Sequence, residues 1–372
     1  MGKHILITGG AGFIGSHVAD ELLACGHSVR VLDNLSAQVH GPERKHPQYL
    51  NAGVELVVGD VRDPIAVRRC LRGIDAVYHF AAAVGVGQSM YEIEAYTSAN
   101  TVGTAVLLEQ LSKRPVERLI VASSMSIYGE GLYRSADGAV HAGVRRTLEQ
   151  LRSADWELRN GNGEVLAPLP TPETKSPSLE SVYALSKYDQ ERLCLMVGGA
   201  YGMPAVALRF FNVFGSRQAL SNPYTGVLAI FASRYLNGNA PLIFEDGCQQ
   251  RDFVNVRDVA RACRLALTAR EAPGNVFNIG SGVSYSIREI AVRVARVLGK
   301  EKLEPKITGK YRAGDIRHCF ADISRARQVL GFRPRVTLEA GLEEFASWLE
   351  GQIALDRVAE ASAELAARGL TV

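Results

Sequence analysis

The sequence has no pair of cysteines at C-x-x-C spacing. Its six cysteines (Cys25, Cys70, Cys194, Cys248, Cys263 and Cys319) are scattered along 372 residues. That pattern argues against a zinc site and against a disulfide framework. The cysteines are expected to be small buried hydrophobes of a reducing compartment. No block of lysine and arginine occurs, and the net charge is only +3. An extended basic surface for nucleic acid or for a membrane is therefore not expected. No apolar run approaches 18 residues, and a strand pattern begins almost at Met1, so neither a membrane span nor a secretory leader is expected. With 47% apolar and 22% charged residues, the composition is that of an ordinary globular protein, expected in the cytoplasm. The length allows two domains, or one domain with a lobe.

What is present is an alternation of short apolar runs with helical patterns. His4-Ile-Leu-Ile-Thr8 reads as a buried parallel strand. It leads into Gly9-Gly-Ala-Gly12-Phe-Ile-Gly15 and then a helical pattern through Cys25. Glycines at 9, 12 and 15 permit a tight turn and let backbone N–H groups approach a pyrophosphate at the helix N-terminus. A second strand, Ser28-Val-Arg-Val-Leu-Asp33, ends in an acid placed to take both ribose hydroxyls of an adenosine. Asn34-Leu-Ser36 brings no arginine for a 2′-phosphate, which favours NAD over NADP. A mononucleotide site or a decayed one is the alternative. Val54-Glu-Leu-Val-Val58 is a third strand, followed by Asp60, which can meet adenine. Ala76-Val-Tyr-His-Phe80 is a fourth, followed by the small residues Ala81-Ala-Ala83. A long helix is expected from about Ile93 to Ser112; within it Asn100 is either a site residue or a satisfied buried amide. Leu119-Ile-Val-Ala122 runs into Ser123-Ser-Met-Ser-Ile-Tyr-Gly129. This order predicts a parallel, doubly wound sheet with right-handed crossovers. Gly9, Asp33, Asp60, Ala81 and Ser124 then all fall at the carboxyl ends of strands, where ligands bind.

Ser181-Val-Tyr-Ala-Leu-Ser-Lys187 places Tyr183 and Lys187 four residues apart, on one face of a helix. A phenol ordinarily ionises near pH ~10. A fixed ammonium beside it lowers that value and makes the phenol a usable general base. The same spacing is also common on solvated helix faces.

With these pieces in hand, the chain resembles the extended short-chain dehydrogenases/reductases, in the branch of nucleotide-sugar epimerases and dehydratases. The matching segments are Thr8-Gly-Gly-Ala-Gly-Phe-Ile-Gly15, Asp33-Asn-Leu35, Gly59-Asp60, His79-Phe-Ala-Ala82, Ser123-Ser124 with Tyr128-Gly129, Tyr183 with Lys187, Arg209-Phe-Phe-Asn-Val-Phe-Gly215, Arg251-Asp-Phe253 and Arg312-Ala-Gly-Asp315. The resemblance implies a Rossmann sheet with a smaller α/β substrate-binding lobe. It implies Tyr183 as base, Lys187 holding the nicotinamide ribose, and Ser124 bonding the sugar hydroxyl. It implies NAD contacts from Gly9, Gly12, Phe13, Ile14, Gly15, Asp33, Asn34, Asp60, Val61, Phe80, Ala81, Ala82, Asn100 and Phe211. It assigns substrate contacts to Asn212, Asn222, Phe244, Arg251 and Arg312; surface ion pairing is the alternative for the two arginines. Dehydratases of this resemblance carry Thr-Asp-Glu where this chain has Ser124-Met125-Ser126, and decarboxylases carry a glutamate at the place of Ser126. Neither methionine nor serine titrates usefully near pH 7. The pattern therefore fits a 4-epimerase: hydride out from C4, rotation of the 4-keto sugar on its flexible diphosphate, hydride back. The alternatives are a second segment that supplies an acid, a 4-keto sugar reductase or dehydratase, and a dinucleotide-sensing binding protein.

By this reading residues 1–188 form the NAD-binding domain, with segments near 204–214 and 253–280 returning to it. Residues 189–350 form the nucleotide-sugar lobe, and 351–372 a helical tail suited to a surface or an oligomer contact. An insertion at about 131–176 separates Gly129 from Tyr183. It is similar to that of a subgroup containing dTDP-L-rhamnose 4-epimerases, sharing Trp156 and Pro170-Thr-Pro-Glu173. Some members of that subgroup carry a C-x-x-C knuckle where this chain has Asn160-Gly-Asn162, so no metal is expected. The insertion can be a lid over the sugar, a dimer contact or a solvated excursion. A dTDP-6-deoxyhexose or a UDP-hexose is the expected substrate, and a homodimer the expected assembly.

Overall fold

The computed structural model describes residues 2–224, 226–311, 315–352 and 354–371. Seven strands form one parallel sheet: β1 (His4–Thr8), β2 (Ser28–Asp33), β3 (Val54–Val58), β4 (Ala76–His79), β5 (Arg118–Ser124), β6 (Ala205–Phe210) and β7 (Val276–Ile279). Their order is β7-β6-β5-β4-β1-β2-β3. Alternate side chains of these strands enter two different cores. Ile5, Ile7, Tyr78, Ile120, Val206 and Leu208 pack on one face. Leu6, Val77, Leu119, Val121, Ala205 and Ala207 pack on the other. A sheet buried on both faces reads as continuous apolar runs, as these strands do. The strand order reverses between β1 and β4, so a crevice opens at the carboxyl ends of those two strands. Thr8 pairs with His79 at that point.

The glycine-led helix Phe13–Ala24 packs on the helix Val256–Thr268, and Val182–Ala200 packs against β5. The single helix expected from about Ile93 to Ser112 is interrupted. Ile93–Tyr96 is α-helical, Thr97–Val102 is a π-helical turn, and Gly103–Lys113 resumes the α-helix. The extra residue in the turn accommodates Asn100, whose carboxamide bonds both backbone groups of Ala83. A π-turn of this kind commonly marks a functional position.

Residues in the 131–176 insertion form a unit of their own. Leu132–Arg134 lies between Val140–His141 and Ala167–Leu169 in an antiparallel sheet. Tyr133, Leu158 and Leu166 make a small core beside Val144. Two buried arginines tie the unit to the second half of the chain. Arg317 is 0% exposed and donates to Glu245 at 2.9 Å, to Asp246 at 2.6 Å and to Glu157. Arg146 donates to Glu245 at 2.7 Å and to the Asp315 carbonyl. The insertion is therefore not a solvated excursion.

The smaller lobe centres on Gln250–Asn255, which pairs with Asn212–Phe214, Ser284–Ser286 and His318–Cys319. Three helices, Val227–Leu236, Ile287–Val297 and Leu338–Leu349, bury Phe231, Tyr235, Ile290, Val294, Leu342 and Phe345 together. The tail helix Val358–Ala367 returns towards the crevice, setting Leu365 against Gly87 and the Arg368 guanidinium over the Tyr91 ring. Four cysteines are buried as expected, but Cys25 and Cys248 are exposed. Cys25 ends the Phe13–Ala24 helix and Cys248 lies in a surface turn, positions that apolar patterning does not mark. No helix among the described residues is long and apolar enough to cross a membrane.

Candidate active site

The glycine turn is fixed by close packing. Gly9 has φ +70°, and a Cβ there would lie 2.7 Å from the Ala81 nitrogen. A Cβ at Gly15 would lie 2.6 Å from the Gly9 oxygen and the Gly10 Cα. Gly12 differs: the nearest atom to its missing Cβ is the Gly9 oxygen, at 3.4 Å. The protein's own packing does not require glycine there. Gly12 precedes the Phe13–Ala24 helix, makes no side-chain cap, and no acid occupies the first turn. The result is an open helix N-terminus beside Phe13 and Ile14, which suits the diphosphate of a dinucleotide. Asp33 accepts from the Ala11 nitrogen at 3.0 Å and the Leu35 nitrogen at 2.9 Å, which ties the end of β2 to the turn. Asn34 and Arg62 both donate to Asp60, at 3.1 and 2.8 Å, and the Arg62 pair holds its carboxyl well below the usual range. Val61 is buried against Gly103. Phe80 and Ala81 donate their backbone N–H groups to Thr8, and Ala82 continues that loop towards Ala83, which Asn100 clamps.

Tyr183 and Lys187 lie one turn apart on the Val182–Ala200 helix, both buried. Ser181 caps the helix by accepting from the Ala184 nitrogen at 3.1 Å. Ser89 accepts from the Tyr183 nitrogen at 3.0 Å, and the Tyr96 ring meets the Tyr183 ring edge-on at 6.4 Å. Ser124, at the end of β5, lies beside the Tyr183 phenol, and its hydroxyl favours the phenolate. Burial pushes the phenol up, and the Ser124 hydroxyl is the effect that opposes it. Lys187, one turn further on, directs its ammonium to a different neighbour. Its Nζ donates to Gln190 at 2.5 Å, and burial brings the ammonium down to about 8. Met125 is buried and Ser126 donates its backbone N–H to Ser124.

The residues assigned to the substrate are spread more widely. Asn212 leaves its buried Oδ1 without a partner among the described residues, as a ligand contact would. Asn222 accepts from Gln38 at 3.2 Å and from the Tyr224 nitrogen at 3.0 Å. Phe244 follows the short strand Leu242–Ile243. Arg251 donates to the carbonyls of Gln250, Arg317 and Ile316, so its guanidinium shapes the segment before His318. Arg312 lies outside the described residues. Phe211 packs with Tyr128, Met125 and Cys319, while Phe210 is the one that reaches Phe80, at 6.1 Å.

Sequence reasoning did not find a buried polar group behind Lys187. Gln190, His79, Thr8 and Thr104 are all 0% exposed and bonded to one another. Nor did it find Glu191, which binds Arg209 at 2.6 and 2.9 Å and accepts from Ser123 at 2.6 Å. Both Gln190 and Glu191 lie one helical turn beyond Lys187, on the face that Tyr183 and Lys187 define.

Known proteins resemble the chain over almost its whole length. The chain is 35% identical over 356 residues to a dTDP-L-rhamnose 4-epimerase of Burkholderia thailandensis, covering 95% of this chain and 96% of that protein. It is 30% identical to a putative UDP-glucose 4-epimerase of Methanocaldococcus jannaschii, covering 93% and 98%. Its fold matches the crystal structure of Thermotoga maritima UDP-glucose 4-epimerase with UDP-glucose, at TM-score 0.76 and 32% identity over 94% of this chain and 99% of the other. It also matches Thermus thermophilus UDP-glucose 4-epimerase in complex with NAD, at TM-score 0.73 and 31% identity over 94% of this chain and all of the other. A family model matches residues 5–143 and 162–280, leaving the middle of the insertion outside it. The chain belongs to the NAD dependent epimerase/dehydratase family.

Proposed function

We propose that this protein is a nucleotide-sugar 4-epimerase that holds NAD in the crevice between β1 and β4. The observation that carries the reading is that Tyr183 faces Ser124 while Met125 and Ser126 stand where a dehydratase would carry its acids. A dehydratase needs an acid to expel water, and Met125 and Ser126 cannot supply it. The glycine turn, Asp33 and Asp60 hold the adenosine half of NAD, and Lys187 the nicotinamide ribose. When bound, NAD supplies the acceptor that takes the C4 hydride and returns it, and a fixed positive charge beside the phenol. Tyr183 takes the proton of the C4 hydroxyl and later gives it back. Ser124 bonds the same oxygen and keeps it aligned. Asn212 holds the sugar diphosphate from the end of β6. Arg312 is kept as a second diphosphate contact on the strength of the resemblance.

The dTDP-6-deoxyhexoses are the substrates favoured, because the 35% identical relative is a dTDP-L-rhamnose 4-epimerase matched over nearly its whole length. The test is to incubate purified protein with dTDP-L-rhamnose and with UDP-glucose, adding no NAD, and to read the C4 configuration by NMR. Conversion of the dTDP sugar supports the assignment; conversion of UDP-glucose alone refutes the substrate. No conversion of either sugar, by protein that has kept its NAD, refutes the epimerase reading itself.

The assembly proposed is a homodimer. Leu185 and Met196 are 48% and 60% exposed and share the face of the Val182–Ala200 helix that is turned away from Tyr183 and Lys187. Apolar side chains grouped in this way favour a second copy over solvent.

A further inference from the structure

We propose that Gln190 is a positioning residue: it holds the Lys187 ammonium in place without neutralising it, so that the charge stays available to the Tyr183 phenol. The inference rests on the role given to Tyr183 and Lys187 above.

The argument begins with the orientation of one amide. Gln190 Nε2 lies 3.2 Å from the Ala81 carbonyl and 3.0 Å from Thr104 Oγ1. Its Oε1 lies 2.5 Å from Lys187 Nζ. Thr104 spends its one hydroxyl hydrogen on the Asn100 carbonyl, at 2.5 Å. Thr104 Oγ1 therefore accepts from both Gln190 Nε2 and His79 Nε2, the latter at 2.8 Å. This assigns the His79 proton to Nε2, and leaves Nδ1 to accept from the Thr8 hydroxyl at 2.8 Å. Burial brings His79 down to about 3, so the ring is neutral. Turning the Gln190 amide over would set its oxygen against the Ala81 carbonyl and its NH2 against an ammonium. Gln190 and Thr104 are 0% exposed and Lys187 3%, so water does not relieve the mismatch at the ammonium. Gln190 Nε2 also lies 3.1 Å from His79 Nε2, and the bond to the buried ammonium is what sets the amide oxygen towards Lys187.

The second part concerns charge. Asp189, the carboxylate nearest in sequence, accepts from the Thr101 hydroxyl at 3.0 Å, and Glu191 is occupied by Arg209 and Ser123. The Cys194 thiol is pushed up to about 12 by burial and stays neutral. The Tyr96 phenol is pushed far up and also stays neutral. Ser124 faces Tyr183 as an uncharged hydroxyl. Glu191 favours the Lys187 ammonium as a lesser influence than burial, but among the described residues the one hydrogen bond Lys187 Nζ makes is to Gln190, not to a carboxylate. A neutral carbonyl satisfies one N–H of the ammonium and limits the cost of burying it, yet leaves its field intact. A carboxylate in the same place would hold Lys187 equally well and cancel that field.

The test compares Gln190→Glu with Gln190→Met in the NAD-loaded enzyme. Activity rises with pH as the Tyr183 phenol ionises, and falls as Lys187 loses its proton. For Gln190→Glu the acid limb of kcat moves up by a pH unit or more, giving roughly tenfold slower turnover at pH 7 that recovers towards wild type above the shifted limb. For Gln190→Met, which removes the acceptor, the basic limb moves down. Either limb staying where it is in wild type overturns the proposal, and so does an equal loss at every pH, the mark of a merely structural role. If Gln190→Glu does not fold, the basic limb of Gln190→Met decides. A separate readout is ultraviolet difference titration of the Tyr183 phenol, with Tyr183→Phe as blank and no sugar present. The proposal requires its midpoint to rise in Gln190→Glu, and an unmoved midpoint overturns it. A wild-type protein that converts no sugar defeats the epimerase reading, whereas this titration still judges Gln190.

Discussion

The Tyr183 hydroxyl is a base only if its surroundings favour the anion, and its burial does the opposite. Burial raises the phenol, and the Ser124 hydroxyl opposes it. The account therefore assigns its ionisation to two positive charges, Lys187 and bound NAD. Replacing Tyr183 by Phe removes the only proton carrier at C4. The expected outcome is loss of conversion by at least a thousandfold, at the upper part of what general-base catalysis contributes, with NAD still bound. The measurement is epimer formation by NMR beside the NAD content of the same sample; turnover within tenfold of wild type would show another base. Tyr183, Lys187 and Ser124 were legible because chemistry restricts which residue types can serve. Gln190 and Glu191 were not, although they lie at i+3 and i+4 from Lys187. A polar residue on a helix is solvated by default, and only the packing against β4 and β5 buries these two.

At the scale of elements, the strands of the first half were readable because strands buried on both faces leave unbroken apolar runs. The acids and glycines ending those runs then marked the crevice. The helix through Asn100 was read as continuous because helical periodicity does not show one added residue; the π-turn exists to bring Asn100 to Ala83. The insertion was opaque because its sheet is short and its core holds few residues, while its anchors, Arg146 and Arg317, find carboxylates distant in sequence. The glycine turn yields a discriminating prediction. A methyl at Gly12 meets nothing closer than 3.4 Å, so Gly12→Ala is expected to fold with stability within about 1 kcal/mol of wild type. The methyl would nevertheless occupy the ground a diphosphate approaches. NAD released by acid from the purified variant is expected to fall at least tenfold, while the denaturation midpoint of NAD-stripped protein stays unchanged. Undiminished NAD would place the diphosphate elsewhere.

For the whole molecule, the helix that carries Tyr183 and Lys187 on its inner face carries Leu185 and Met196 on its outer face. If a second copy covers that face, assembly and catalysis share one element. Leu185→Arg combined with Met196→Arg is expected to halve the mass seen by sedimentation equilibrium; an unchanged mass would place the contact elsewhere, and a single-chain mass for wild type would remove the dimer. The sheet, the crevice and the missing acids beside Ser124 together make the central claim, that one hydride leaves C4 and comes back to it. The most direct test is a dTDP-L-rhamnose carrying deuterium at C4, converted in ordinary water with no added NAD. The account predicts that the C4 epimer formed keeps its deuterium at C4, with no lasting absorbance change from reduced cofactor. Epimer that has lost the deuterium to solvent, or reduced cofactor accumulating in step with product, would contradict it.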